Sequence, residues 1–99
     1  MKTYSIYQVN REDSRSILFM RLSFLKKMGI EPTRDKYNKV YGGEIEDGKT
    51  TDVLERIYTK FNVGRPQDFR GHSLSVSDVV ELDGSFYFCD SYGFKQINF

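Results

Sequence analysis

Residues 74–89 read LSVSDVVELDGSFYFC, and this stretch decides the fold. Leu74, Val76, Val80 and Leu82 fall on one face of a strand over Leu74–Leu82, the period-two pattern of a half-buried strand. Asp78 interrupts that face. A carboxylate there is costly unless it is paired or accepts backbone hydrogen bonds, so it can instead mark a turn or bulge before the strand proper, with Ser75 or Ser77 beside it. Asp83-Gly84 is the two-residue signature of a type I′ hairpin turn. Phe86–Cys89 then returns, with Phe86 and Phe88 on one face and Tyr87 and Cys89 on the other. After Asp90–Gly93 comes a last short strand, Phe94–Ile97. The C-terminal part is therefore an antiparallel meander.

A meander with one apolar face needs a cover, and the segment before it supplies one. Val53, Leu54, Ile57, Tyr58 and Phe61 form a single wide stripe on a helix over Asp52–Phe61. Thr51 or Asp52 is its expected N-cap. With Asp52 as cap, Glu55 stands where a capping box wants it. Lys60 sits near the C-terminal end, where it favours the helix dipole. Asn62–Ser73 has no periodicity, contains Gly64, Pro66 and Gly71, and reads as a loop.

Further upstream, Thr3–Val9 reads as a strand with Tyr4, Ile6 and the polar Gln8 on one face. Asn10–Ser14 is a polar break. Ser16–Met28 is apolar and ambiguous: Ile17–Phe19 fits a short strand, while Leu22, Leu25 and Met28 favour a helix over about Arg21–Met28. Gly29 is its stop, with Pro32 just beyond. Asp35–Tyr41 carries Tyr37, Val40 and Tyr41 among charges, Gly42-Gly43 interrupts it, and Glu44–Glu46 is a weak strand or loop. The order β–α–β–α–β–β–β predicts one small α+β domain over residues 1–99, its antiparallel C-terminal meander packed against one or two helices. Tyr4, Phe24, Tyr58, Phe61, Phe86 and Phe88 are the expected aromatic core.

Composition bounds the chemistry. The 99 residues hold 15 basic and 14 acidic side chains, so the chain is neither a polybasic arm nor an acidic tail. Fifteen aromatics argue for a folded chain. The single cysteine, Cys89, excludes an intrachain disulfide and fits a reducing, cytoplasmic setting. The single histidine, His72, excludes any site that needs two. The longest apolar run, Ile17–Met20, is far short of the ~20 residues that span a bilayer. The residues through Lys49 hold 10 basic and 7 acidic groups, and the remainder 5 and 7.

Three features invite a chemical reading. His72 acting as a base would need an orienting carboxylate, Asp68 or Asp78, and a nucleophile among Ser73, Ser75 and Ser77; nothing in the spacing demands this. Cys89 has no basic neighbour except Lys95 and reads as a small buried hydrophobe. Lys60, Arg65, Arg70 and His72 interleave with Phe61 and Phe69. Such a set can grip phosphates and bases, contact a protein, or form an ordinary solvated loop.

The runs Tyr58-Thr59-Lys60-Phe61-Asn62, Arg65 through Val80 (RPQDFRGHSLSVSDVV) and Tyr87 … Asp90-Ser91-Tyr92-Gly93-Phe94 resemble the YodL-like domain of Firmicutes mobile elements. That domain carries YT-x-FN, P-x-DF-x-GHSLSVSD and a DS-aromatic-GF ending. Tyr7-Gln8, Leu25 to Gly29 and Tyr37 to Tyr41 also sit at family positions, so the likeness covers nearly the whole chain. The resemblance implies a domain found alone or inside large proteins of conjugative elements, plasmids and phages, near antirestriction genes. It carries over no catalytic residue. By that analogy the chain is expected to be a non-enzymatic binding module acting on a host defence protein or ribonucleoprotein. An anti-CRISPR inhibitor of a Cas9-type effector is the sharpest form of this expectation. Lys60, Arg65, Phe69, Arg70, His72 and Tyr92 are the expected contacts, with no cofactor, metal or membrane. The alternatives are a DNA- or RNA-binding accessory protein and a small hydrolase or nuclease using His72 with Asp78 or Asp90.

Overall fold

The computed structural model describes residues 1–99. Five antiparallel strands form one sheet in the order β2-β1-β3-β4-β5. They are β1 (Lys2–Val9), β2 (Tyr37–Ile45), β3 (Val79–Leu82), β4 (Ser85–Cys89) and β5 (Phe94–Ile97). The hairpin of β3 and β4 turns on Asp83 (φ 53°) and Gly84 (φ 88°), the two positive angles that a type I′ turn requires. Val79 pairs with Phe88 and Leu82 with Ser85, as the alternation predicts.

The N-terminal strand lies inside the sheet, between β2 and β3. Tyr4 through Gln8 are all buried, because both faces of β1 are covered. Helix α3 (Thr50–Val63) covers one face through Val53, Leu54, Ile57 and Phe61, which pack with Tyr4, Ile6, Val80 and Leu82. Two short helices, α1 (Ser14–Ile17) and α2 (Leu22–Lys27), cover the other. There Ile17, Leu22 and Leu25 meet Tyr7, Tyr37, Val79 and Phe88. The fold is α+β.

Several expectations are corrected. Helix α3 begins at Thr50, not Asp52; its cap position is Lys49 and no side chain closes the first turn. Tyr58 is 39% exposed rather than core, and Phe24 and Phe86 are half-buried. Gly42-Gly43 does not interrupt β2, which runs through them by pairing with Ser5 and Tyr4. A register shift opposite Ile6 and Tyr7 absorbs one extra residue of β2. Within Ser16–Met28, Ile17 ends a helical turn and Phe19 takes a positive φ of 66°, so no strand forms there. Helix α2 stops as expected: Gly29 has φ 73°, and the N–H groups of Gly29 and Ile30 return to the carbonyls of Lys26 and Leu25, a Schellman ending.

Candidate functional site

The strand over Leu74–Leu82 does not form as one piece. Only Val79–Leu82 joins the sheet, and residues 64–78 make a long loop pinned from several sides. Asn62, in the last turn of α3, donates through Nδ2 to the Tyr58 and Leu74 carbonyls. Phe69 is 8% exposed, its ring 4.9 Å from that of Phe61. Gly71 passes so close to Gln8 that any Cβ there would collide with Oε1. This contact lets Gln8 act as a strand partner for His72. Its Oε1 accepts the His72 N–H at 3.2 Å, and its Nε2 donates to the His72 carbonyl at 2.8 Å.

The second half of the loop is held by its own serines. Ser75 N–H donates to Asp78 Oδ2 at 2.8 Å, and Asp78 N–H returns to the Ser75 carbonyl at 3.0 Å. Ser77 is fully buried with φ 88°. Its carbonyl accepts Tyr37 O–H at 2.6 Å and its Oγ accepts Phe19 N–H at 3.0 Å. Ser77 N–H bonds the Cys89 carbonyl and Cys89 N–H bonds the Asp78 carbonyl. The backbone groups of His72, Ser75, Ser77 and Asp78 thus find partners outside a regular ladder.

Asp78 is fully buried, and burial pushes its carboxyl up to about 8 against the pull of the Ser75 N–H and Gln8 bonds. His72 Nε2 stands 3.8 Å from Asp78 Oδ1, and both atoms are buried without a hydrogen-bond partner. The other ring nitrogen, Nδ1, lies 2.7 Å from the Ser73 carbonyl. The ring therefore turns its polar atoms into the protein, with Phe19 packed on it at 5.8 Å. Burial likewise pushes the Cys89 thiol up to about 12, helped by Asp78, Asp90 and Glu55. Asp90 is occupied too: its Oδ1 accepts the N–H groups of Leu22 and Ser91. No group of three or more His, Cys, Asp or Glu side chains is placed to hold a metal ion.

The expected contact residues separate. Lys60, Arg65 and Arg70 are exposed around the loop at the C-terminal end of α3. Arg70 Nη1 donates only to the nearby Gln67 carbonyl. None of the three has a carboxylate in salt-bridge reach. Phe69 is core and offers no surface. His72 is partly exposed, although its Nε2 is buried. Tyr92, 88% exposed, lies beside Thr50, Thr51 and Glu55 at the opposite end of α3, away from the loop cations. Sequence reasoning missed Gln8, Tyr37 and Phe19 as parts of this loop's support. Gln8 left a signal: it was the one polar residue on an otherwise apolar face of its strand.

The sequence matches the YodL-like domain over residues 3–99. An uncharacterized protein of Acanthamoeba polyphaga mimivirus is 36% identical across 63% of this chain and 69% of its own length. No solved structure matches.

Proposed function

The chain belongs to the YodL-like domain family, and from that premise we propose that it is a non-enzymatic binding module of a mobile element or virus. It seats on a protein or ribonucleoprotein of the host's defence machinery, a Cas9-type effector being the sharpest form. One observation carries the reading. The side chains of His72, Ser75, Ser77 and Asp78 are engaged inside the fold, on Gln8, Phe19 and the segment's own backbone, while Lys60, Arg65 and Arg70 stand exposed with no carboxylate partner. Arginines free of a carboxylate are favoured anchors in protein interfaces. A relative encoded by mimivirus supports a setting among invading genomes.

The test is capture of a purified Cas9-type effector, with and without guide RNA. Capture by the native chain is expected, with Arg65→Glu and Arg70→Glu weakening it at unchanged thermal stability. No capture at micromolar concentration removes the effector. The same three cations favour nucleic acid as a second reading, although Phe69 is buried and cannot stack on a base. Gel shifts whose affinity falls by about 0.7–0.9 log per log of salt for each phosphate contact would move the assignment there.

A further inference from the structure

The hydrogens around Gln8, His72 and Asp78 can be counted. Gln8 Nε2 carries two. One goes to the His72 carbonyl at 2.8 Å and the other to Asp78 Oδ2 at 3.1 Å. Its 3.3 Å approach to His72 Nδ1 is therefore not a third bond. Nδ1 instead donates its own hydrogen to the Ser73 carbonyl at 2.7 Å. A neutral ring with its hydrogen on Nδ1 leaves Nε2 bare. Asp78 Oδ2 accepts two hydrogen bonds and Oδ1 accepts none. The two unsatisfied buried atoms are thus Nε2 and Oδ1, and they face each other at 3.8 Å. A hydrogen carried on Asp78 Oδ1 and donated to His72 Nε2 satisfies both once they close to about 2.8 Å.

We propose that one proton held between His72 and Asp78 is a working part of this fold, and that it makes residues 71–78 a latch that loosens as pH rises. Without that proton a buried carboxylate oxygen faces a nitrogen lone pair, and neither has another donor. Leaving such groups unpaired is costly, and the cheapest relief is for the segment to swing toward water. The surroundings supply no substitute charge. His72 is the only basic side chain within 4.0 Å of the carboxylate. Tyr37 from β2 and Cys89 from β4 face Asp78, and burial keeps both neutral, the thiol up at about 12. Gln8 from β1 is neutral.

The sign follows from the carboxyl. Its folded value, about 8, lies above the ordinary 3.8. The stability tied to its proton is fully present below about 4 and is lost progressively as pH rises to about 8. The measurement is a carboxyl-carbon NMR titration of the whole chain with amide exchange on the same samples. Asp78 should titrate near 8, well above the other aspartates. The amides of His72, Ser75 and Ser77 should lose protection across that window while those of β3 and the rest of β4 keep theirs. Asp78→Asn puts a fixed N–H where the proton sits, so it should hold the segment protected at every pH in the window. An Asp78 midpoint in the ordinary carboxylate range overturns the proposal, as does an Asp78→Asn segment that loosens with the native pH profile. If that variant does not fold, the native titration decides alone.

Discussion

On one face of the sheet a 14-residue helix lays four apolar side chains across the strands; on the other, helices of four and six residues leave much of the work to loops, rings and an arginine. The α3 face is built around one aromatic cluster. Phe61 is wholly buried, with Tyr41, Phe69 and Tyr4 around it at 5.3, 4.9 and 6.1 Å between ring centres. The α2 face opens at its edge into a cleft of about 630 Å³ lined by Leu22, Lys26, Ile30 and Ile97. One long amphipathic helix covers most of a sheet face with a single apolar stripe. Two short ones cannot, so a polar group has to finish the job.

The largest expected effect lies on the α3 face. Phe61→Ala should cost about 3–5 kcal/mol in denaturant unfolding, because three packed rings cannot all collapse into the void. Leu25→Ala, at an equally buried position under the shorter helix, should fall toward the lower end of about 2–5 kcal/mol, since its neighbourhood can relax into the open cleft. A loss for Leu25→Ala as large as that for Phe61→Ala would break the contrast between the faces.

The same contrast explains what could be read from the amino acids. Val53, Leu54, Ile57 and Phe61 repeat with helical period over several turns, so α3 and its partner hairpin were legible. Its start was not, because Asp52 looks like a cap while the backbone closes its first turn from Lys49 without a side chain. Ser16–Met28 was ambiguous because its helices are too short for periodicity to accumulate. Leu74–Asp78 mimicked a strand: Leu74 points into the same core as Val80 and Leu82. What differs is the partner of each backbone group, here Gln8, Tyr37 and Cys89, all distant in sequence. The candidate contacts split for the same reason. Exposure of Lys60, Arg65 and Arg70 follows from polarity, but the burial of Phe69 depends on Phe61 and Tyr41 being on hand.

Adjacent glycines in β2 give a smaller and sharper comparison. Gly43 lies opposite Tyr4 on the α3 side, and a Cβ there would stand 3.0 Å from the Tyr4 hydroxyl oxygen. Tyr4 is 3% exposed and has no room to move. Gly43→Ala should therefore cost about 1–3 kcal/mol by overpacking. Gly42 is opposite Ser5, and its Cβ would meet the flexible end of Lys39 at 3.4 Å and the Tyr4 carbonyl at an ordinary contact distance of 3.7 Å. Gly42→Ala should leave the melting temperature close to native. Equal losses at the two positions would show that strand backbone, and not the packing of the α3 face, sets the penalty.

A modest effect is expected at the arginine that finishes the open face. Arg34 stacks its guanidinium 4.6 Å from the Tyr7 ring centre, with Phe99 and Phe86 at 5.5 and 5.6 Å, and donates to the Tyr7 hydroxyl at 2.8 Å. Phe99 in turn packs edge-on against Tyr7 and Tyr37. The arginine therefore lies over the ring cluster of Tyr7, Phe86 and Phe99. Because it is exposed, its cation–π and hydrogen-bond contributions are modest, and Arg34→Ala should cost about 1–2 kcal/mol. Arg34→Lys keeps the charge but loses the flat fork, so it should recover only part of the loss. High salt should change the native value little, since stacking and a neutral acceptor carry the contact and no carboxylate is paired. Full recovery by lysine would mean that charge alone closes this face. No loss in Arg34→Ala would mean that the rings close it unaided.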